Sequence, residues 1–164
     1  MKLYSQADFQ ADPATVWNVF ASQIFMDRLR EVTQITQTVL ERREEGGLVI
    51  ERIGNVSAKE LPSIMSRALG SRTLTYEQTN RFDPATNRLE WAVQLPVMSN
   101  KVDIRGVTTA VVKGSGCVRT VDGVCNVRVP LVGGRIEKAI VSEFTKSYAR
   151  AADIARALIR EQGS

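Results

Sequence analysis

From about Arg135 to Gln162 an apolar side chain returns every three or four residues: Ile136, Ile140, Phe144, Tyr148, Ala151, Ala155, Leu158 and Ile159. At 3.6 residues per turn this spacing lines one face of a single helix roughly 40 Å long. Such a stripe needs an equally long apolar surface to cover it. The rest of the chain is dominated by strand-like patterns interrupted by short helices, so that surface has to be a sheet.

The strands announce themselves by alternation. Residues 2 to 10 alternate polar and apolar, and from Val32 onward "VTQITQTVLERR" runs into "EEGG", hairpin turn chemistry, before "LVIERIGNV". The next hairpin joins "TLTYEQTNRF" to "RLEWAVQLPV" through "DPATN". Period two puts Tyr76, Gln78, Asn80 and Phe82 on one face, and Leu89, Trp91 and Val93 on one face of the partner. Setting Phe82 beside Leu89 brings both sets to the same side of the sheet; a slip of one residue would expose one of them. Two further strands, about 102 to 113 and 117 to 130, are joined by "KGSG", with a bulge expected at Asp122 and Gly123. The count is seven strands.

Short helices fill the gaps. Asp12 before Pro13 is a capping carboxylate before a first-turn proline, and Ser22 caps a second helix whose Ile24, Phe25 and Leu29 are expected to face the core. Between the hairpins, "ELPSIMSRALG" spaces Leu61, Ile64, Met65 and Leu69 helically, with Pro62 at its start and Gly70 just past its end. In "VPLVGGRIEKAIVSEF" a glycine pair lies between strand and helix, where phosphate loops are found. No G-K-S or G-K-T follows and no βαβ unit encloses it. The expected role is mechanical: Pro130 ends the last strand and Gly133 and Gly134 permit the turn.

With 164 residues, 43% apolar and 24% charged, the chain is expected to form one domain over residues 1–164. The net charge of +4 is spread along the sequence, without the concentrated patch, module or stacking aromatics of a nucleic-acid binder. No apolar run has the length of a membrane span, and the first residues do not resemble a signal peptide, so a cytoplasmic protein is expected, without stable membrane insertion. Cys117 and Cys125 match neither a zinc nor a redox spacing and are expected to be small core residues.

Strand, two short helices, six strands and a long last helix make an α+β chain with an antiparallel sheet. That order, with "FQADPATVWNVF" at the front and "VRVPLVGGRIEKAIVSEF" at the back, resembles the START-like or SRPBCC (helix-grip, Bet v 1-like) superfamily over the whole chain. More narrowly, "VPLVGGRIE" with "GVTTAVVKGSGCVRT" resembles the branch catalogued as domain of unknown function 2505. The resemblance implies a curved seven-stranded sheet whose concave face is crossed by the C-terminal helix, with a cavity between them. Relatives use that cavity for lipids, sterols, polyketides or plant hormones; some are cyclases, dehydratases or aromatases, and others assist chaperones. Fold alone does not choose among these.

Chemistry is bounded by the lack of any histidine, which removes histidine-based triads and histidine-ligated metal sites. Of the remaining candidates, Glu51, Glu77, Glu90, Asp103 and Arg105, alternation sends Glu77 and Glu90 to the face opposite Tyr76 and Trp91, where charge is ordinary surface. No catalytic residue, metal ligand or cofactor is implied. Tyr76, Gln78, Asn80, Trp91 and Val93, with Phe144 and Tyr148 from the helix, are the candidate ligand-binding residues: an apolar wall with a few orienting polar groups. Core packing is the competing role for the same rings. Leu61, Ile64 and Met65 are the candidate lid, with ordinary packing on the sheet edge as the alternative. The leading expectation is a binding or carrier module for a small hydrophobic molecule such as a lipid or polyketide. A cyclase- or dehydratase-like enzyme using the same cavity comes second, and an interaction adaptor with a filled core third. The oligomeric state is not legible.

Overall fold

The computed structural model describes residues 1–163. Strand β1 (Lys2–Phe9) is followed by helices α1 (Pro13–Phe20) and α2 (Gln23–Thr33), then β2 (Ile35–Glu45) and β3 (Leu48–Ser57). Helix α3 (Ser63–Leu69) precedes β4 (Thr75–Asp83) and β5 (Arg88–Gln94), and a 3-10 turn at Pro96–Met98 leads to β6 (Val102–Lys113), β7 (Gly116–Val127) and α4 (Gly133–Gln162). The seven strands form one curved antiparallel sheet in the order β1-β7-β6-β5-β4-β3-β2. The first two strands in sequence are therefore its two edges. Helices α1 and α2 carry the chain from one edge to the other, and α4 packs along β1 and β7 on the concave side.

Local chemistry sets these boundaries. Asp12 caps α1 by accepting from the Thr15 amide at 2.7 Å, and Ser22 caps α2 by accepting from Phe25 at 3.3 Å; each cap is worth about 1 kcal/mol. Gly46 and Gly47, both at positive φ, close the β2–β3 hairpin, and Gly70 ends α3 in the left-handed region. The central hairpin has the expected register, with Phe82 opposite Leu89, Asn80 opposite Trp91 and Gln78 opposite Val93.

Four expectations are corrected. Strand β2 begins at Ile35, not Val32, because α2 continues through Thr33 and stops at Gln34, whose φ is 60°. Ile24 is 46% exposed; Phe25 takes the core position instead. No bulge occurs at Asp122 and Gly123, since pairing with both β1 and β6 runs through them unbroken; the irregularity lies between Val39 and Glu41 in β2. Gly123 sits opposite Gly106, and the Trp91 ring lies across the pair: a Cβ on Gly106 would come within 2.5 Å of Trp91 Cζ2. These glycines make room for an indole.

The fourth correction concerns the turn into α4. Strand β7 ends at Val127, and neither Gly133 nor Gly134 has positive φ. The left-handed residue is the fully exposed Leu131, at 69°. Gly133 is needed for closeness, because a Cβ there would collide with the Val127 carbonyl oxygen. The first turn of α4 is thus pinned against the strand it has just left.

The interior divides into two apolar clusters. One gathers Phe9, Val16, Val19, Phe25 and Cys117 around Ala151, Ala152, Ala155 and Leu158 of α4. The other gathers Leu3, Tyr76, Trp91, Val93, Ile104 and Met65 around Ile136 and Ile140, with Phe144 and Tyr148 partly buried against it. Both cysteines are buried and unpaired, and burial pushes the Cys125 thiol up to about 11.

Candidate ligand-binding site

A pocket of about 450 Å³ opens between α3, the middle of α4 and the β2–β3 end of the sheet. Leu61, Pro62 and Met65 form its α3 wall, Ile140 and Phe144 its α4 wall, and Leu74, Tyr76 and Ile35 its floor. Ions are confined to the rim: Lys59 reaches Glu143 at 3.5 Å, and Glu143 also holds Lys146 at 3.6 Å. An apolar interior of this size with a charged rim suits a small molecule that is mostly hydrocarbon.

Behind the pocket a line of rings leads inward. Tyr76 meets Phe144 edge-on at 6.4 Å, and Phe144 stacks on Tyr148 at 6.0 Å. Burial raises the Tyr76 phenol to about 12 and pushes the Tyr148 phenol further in the same direction, opposed there by Arg119. Neither hydroxyl has a hydrogen-bond partner among the described residues.

The expected site residues are therefore distributed. Tyr76, Phe144, Leu61 and Met65 line the pocket; Ile64 lies on the other flank of α3. Trp91 and Val93 are buried in the sheet face, the Trp91 indole donating to Thr108 Oγ1 at 3.1 Å, so its polar tip is already satisfied. Gln78 and Asn80 share that face and bond each other, Gln78 Nε2 donating to Asn80 Oδ1 at 2.8 Å. Tyr148 does not line the pocket but stacks on Phe144, which does. Glu77, Glu90, Asp103 and Arg105 make exposed ion pairs on the opposite face, and Glu51 is held by Arg42 at 3.4 Å.

The flank of α3 that carries Ile64 borders a second cleft of about 770 Å³, reaching Met98, Val129 and Val132 and edged by Arg67, Lys101 and Arg135. Helix α3 is thus the partition between an apolar pocket and a basic cleft. Its seven residues lie between Pro62 and the left-handed Gly70, with Met65 and Leu69 as inward anchors. Among the described residues no cluster of potential metal ligands occurs, and no helix is long and apolar enough to cross a membrane.

Sequence reasoning passed over one residue of this interior. Arg119 of β7 pairs with Ala7 and Ala110, on the face that carries Cys117 and Val121. Its guanidinium carbon lies 4.0 Å from the Phe20 ring and 5.6 Å from that of Trp17. Neither Arg119 Nε nor Trp17 Nε1 has a partner among the described residues, and both atoms are buried. Burial lowers the guanidinium to about 10, with Tyr148 and Cys117 opposing. The signal was available: period two from Cys117 sends position 119 inward.

A curved antiparallel sheet gripping a long C-terminal helix is the helix-grip fold, and solved structures share it. TTHA0849 from Thermus thermophilus is similar over 100% of both chains, with a TM-score of 0.69 at 12% identity. The Zhui aromatase/cyclase from Streptomyces sp. R1128 is similar over 100% of this chain and 96% of its own, with a TM-score of 0.67 at 13% identity. A START superfamily protein from Mycobacterium smegmatis is similar over 98% of each chain, with a TM-score of 0.58 at 12% identity. At such identities the likeness is one of fold. Within that class the chain belongs to the family described as protein of unknown function (DUF2505), whose model matches residues 5–159. No curated protein matches it in sequence.

Proposed function

We propose that the protein binds or carries a small hydrophobic molecule in the pocket beneath α3, acting through one START-like domain over residues 1–164. The observation that carries this reading is the 450 Å³ apolar pocket wedged between Met65, Tyr76 and Phe144, with ionic groups only at its rim. The mechanism is burial: apolar atoms leave water, each buried methylene contributing about 0.8 kcal/mol. Helix α3, short and bounded by a proline and a left-handed glycine, serves as the lid, with Leu61 and Met65 on the ligand side. Gln78, Asn80, Trp91 and Val93 form the deep wall against which a ligand would be stopped. The protein acts away from nucleic acid, and no cofactor is needed for binding of this kind.

Titration with the apolar fluorophore N-phenyl-1-naphthylamine tests the reading. Saturable binding is expected, weakened at least tenfold by Met65→Trp, which fills the pocket from the lid side. Absence of saturable binding, or binding indifferent to that substitution, would overturn it. A cyclase-like reading takes its support from the fold shared with an aromatase/cyclase and from two interior ionisable groups, Tyr148 and Arg119, that influence each other's charge. It becomes the better reading only if a polyketide-like substrate is turned over.

A further inference from the structure

We infer that the molecule held beneath α3 is an apolar carboxylate whose head group is received by Arg119 and Trp17; this rests on the binding reading above. The two buried side-chain polar atoms left without partners among the described residues, Arg119 Nε and Trp17 Nε1, are hydrogen-bond donors. They sit together where β7 faces α1, the guanidinium carbon 5.6 Å from the Trp17 ring. What the place lacks is an acceptor. A guanidinium whose Nε is buried without a counter-charge is costly, and among the described residues no carboxylate pairs with Arg119.

Stacking on Phe20 at 4.0 Å does not answer the need. A ring covers the face of a guanidinium, whereas its N–H bonds point outward in the plane and remain free for an acceptor. The fork geometry matches the two oxygens of a carboxylate, and one positive charge balances one negative charge. A phosphate, with more charge and more oxygens to satisfy, would be poorly served among Trp17, Phe20 and Phe82, the last packed on Trp17 at 4.7 Å. The route from the pocket is the ring line of Tyr76, Phe144 and Tyr148, whose phenol and the Arg119 guanidinium feel each other's charge. The hydrocarbon tail then occupies the pocket under Met65 and Leu61, and the acid end lies at the closed end of the sheet.

The test compares decanoate with decan-1-ol by isothermal titration, on the wild type and on Arg119→Met, Arg119→Lys and Trp17→Phe, each checked for folding by circular dichroism. Wild type is expected to prefer decanoate at least tenfold, as a charge-assisted hydrogen bond implies. Arg119→Met should reduce that preference to less than about twofold while decan-1-ol still binds, and Arg119→Lys should keep part of it. Trp17→Phe removes the indole donor and keeps a ring, so the preference should fall severalfold; it carries the test if Arg119→Met does not fold. Equal binding of acid and alcohol by the wild type would overturn the carboxylate inference and leave the pocket reading standing. A preference that survives Arg119→Met would do the same. If neither compound binds, both readings fall.

Discussion

The two halves of α4 lie on the same sheet and are built differently. The C-terminal half meets β1, β7, α1 and α2 through Ala151, Ala152 and Ala155, small enough for the backbones to approach closely, and through Leu158, only 2% exposed. Arg156 donates to the Asp8 carbonyl at 3.0 Å, and Arg28 grips Glu161 through two bonds of 3.0 and 2.9 Å. The N-terminal half carries Ile140, Phe144 and Tyr148, and is flanked by the pocket on one side of α3 and the basic cleft on the other. The lesson is that residue size along a continuous stripe separates a helix's structural end from its receptive end. Small residues draw it onto the sheet, and large ones hold it off.

The largest expected effect tests the closed end. Leu158→Ala should destabilise by about 3 kcal/mol in a urea titration, because close packing there leaves a cavity unrelieved. Phe144→Ala removes a larger side chain yet should cost no more than about 2 kcal/mol, since one side of the ring already borders a pocket. Equal or reversed costs would show the two halves to be packed alike.

A smaller effect reads the receptive end by pH. The Tyr76 phenol is raised by burial from 10.0 to about 12, so the stability it contributes is fully present below pH 10 and is lost as pH rises through 12. Arg119, lowered by burial to about 10, works in the opposite sense, because its charged form is the one that burial penalises. Comparing wild type with Tyr76→Phe isolates the phenol: between pH 10 and 12 the wild type should lose up to about 2 kcal/mol more. Parallel pH profiles would place Tyr76 in contact with water rather than in the packed wall.

How legible all this was follows the reach of each interaction. The caps at Asp12 and Ser22, the glycine end of α3 and the Phe82–Leu89 register depend on neighbours in sequence or on alternation, and these are written in the chain. The roles of Gly106, Gly123 and Gly133 are not, because each is set by a distant group: the Trp91 ring for the first two and the Val127 carbonyl for the third. At the site, shared faces brought Tyr76, Phe144, Leu61 and Met65 within view. Arg119 escaped because an arginine in a strand that alternates reads as surface by its charge alone. Only the burial of both sides of β7, by β1 and β6 as well as α1, makes its inward position costly.

Hydrogen exchange measured with and without N-phenyl-1-naphthylamine tests the difference between the two halves most directly. The account predicts slowed exchange in α3 and in residues 139–150 on adding the probe, with residues 151–160 unchanged. Protection spread evenly along α4, or confined to its C-terminal half, would contradict it.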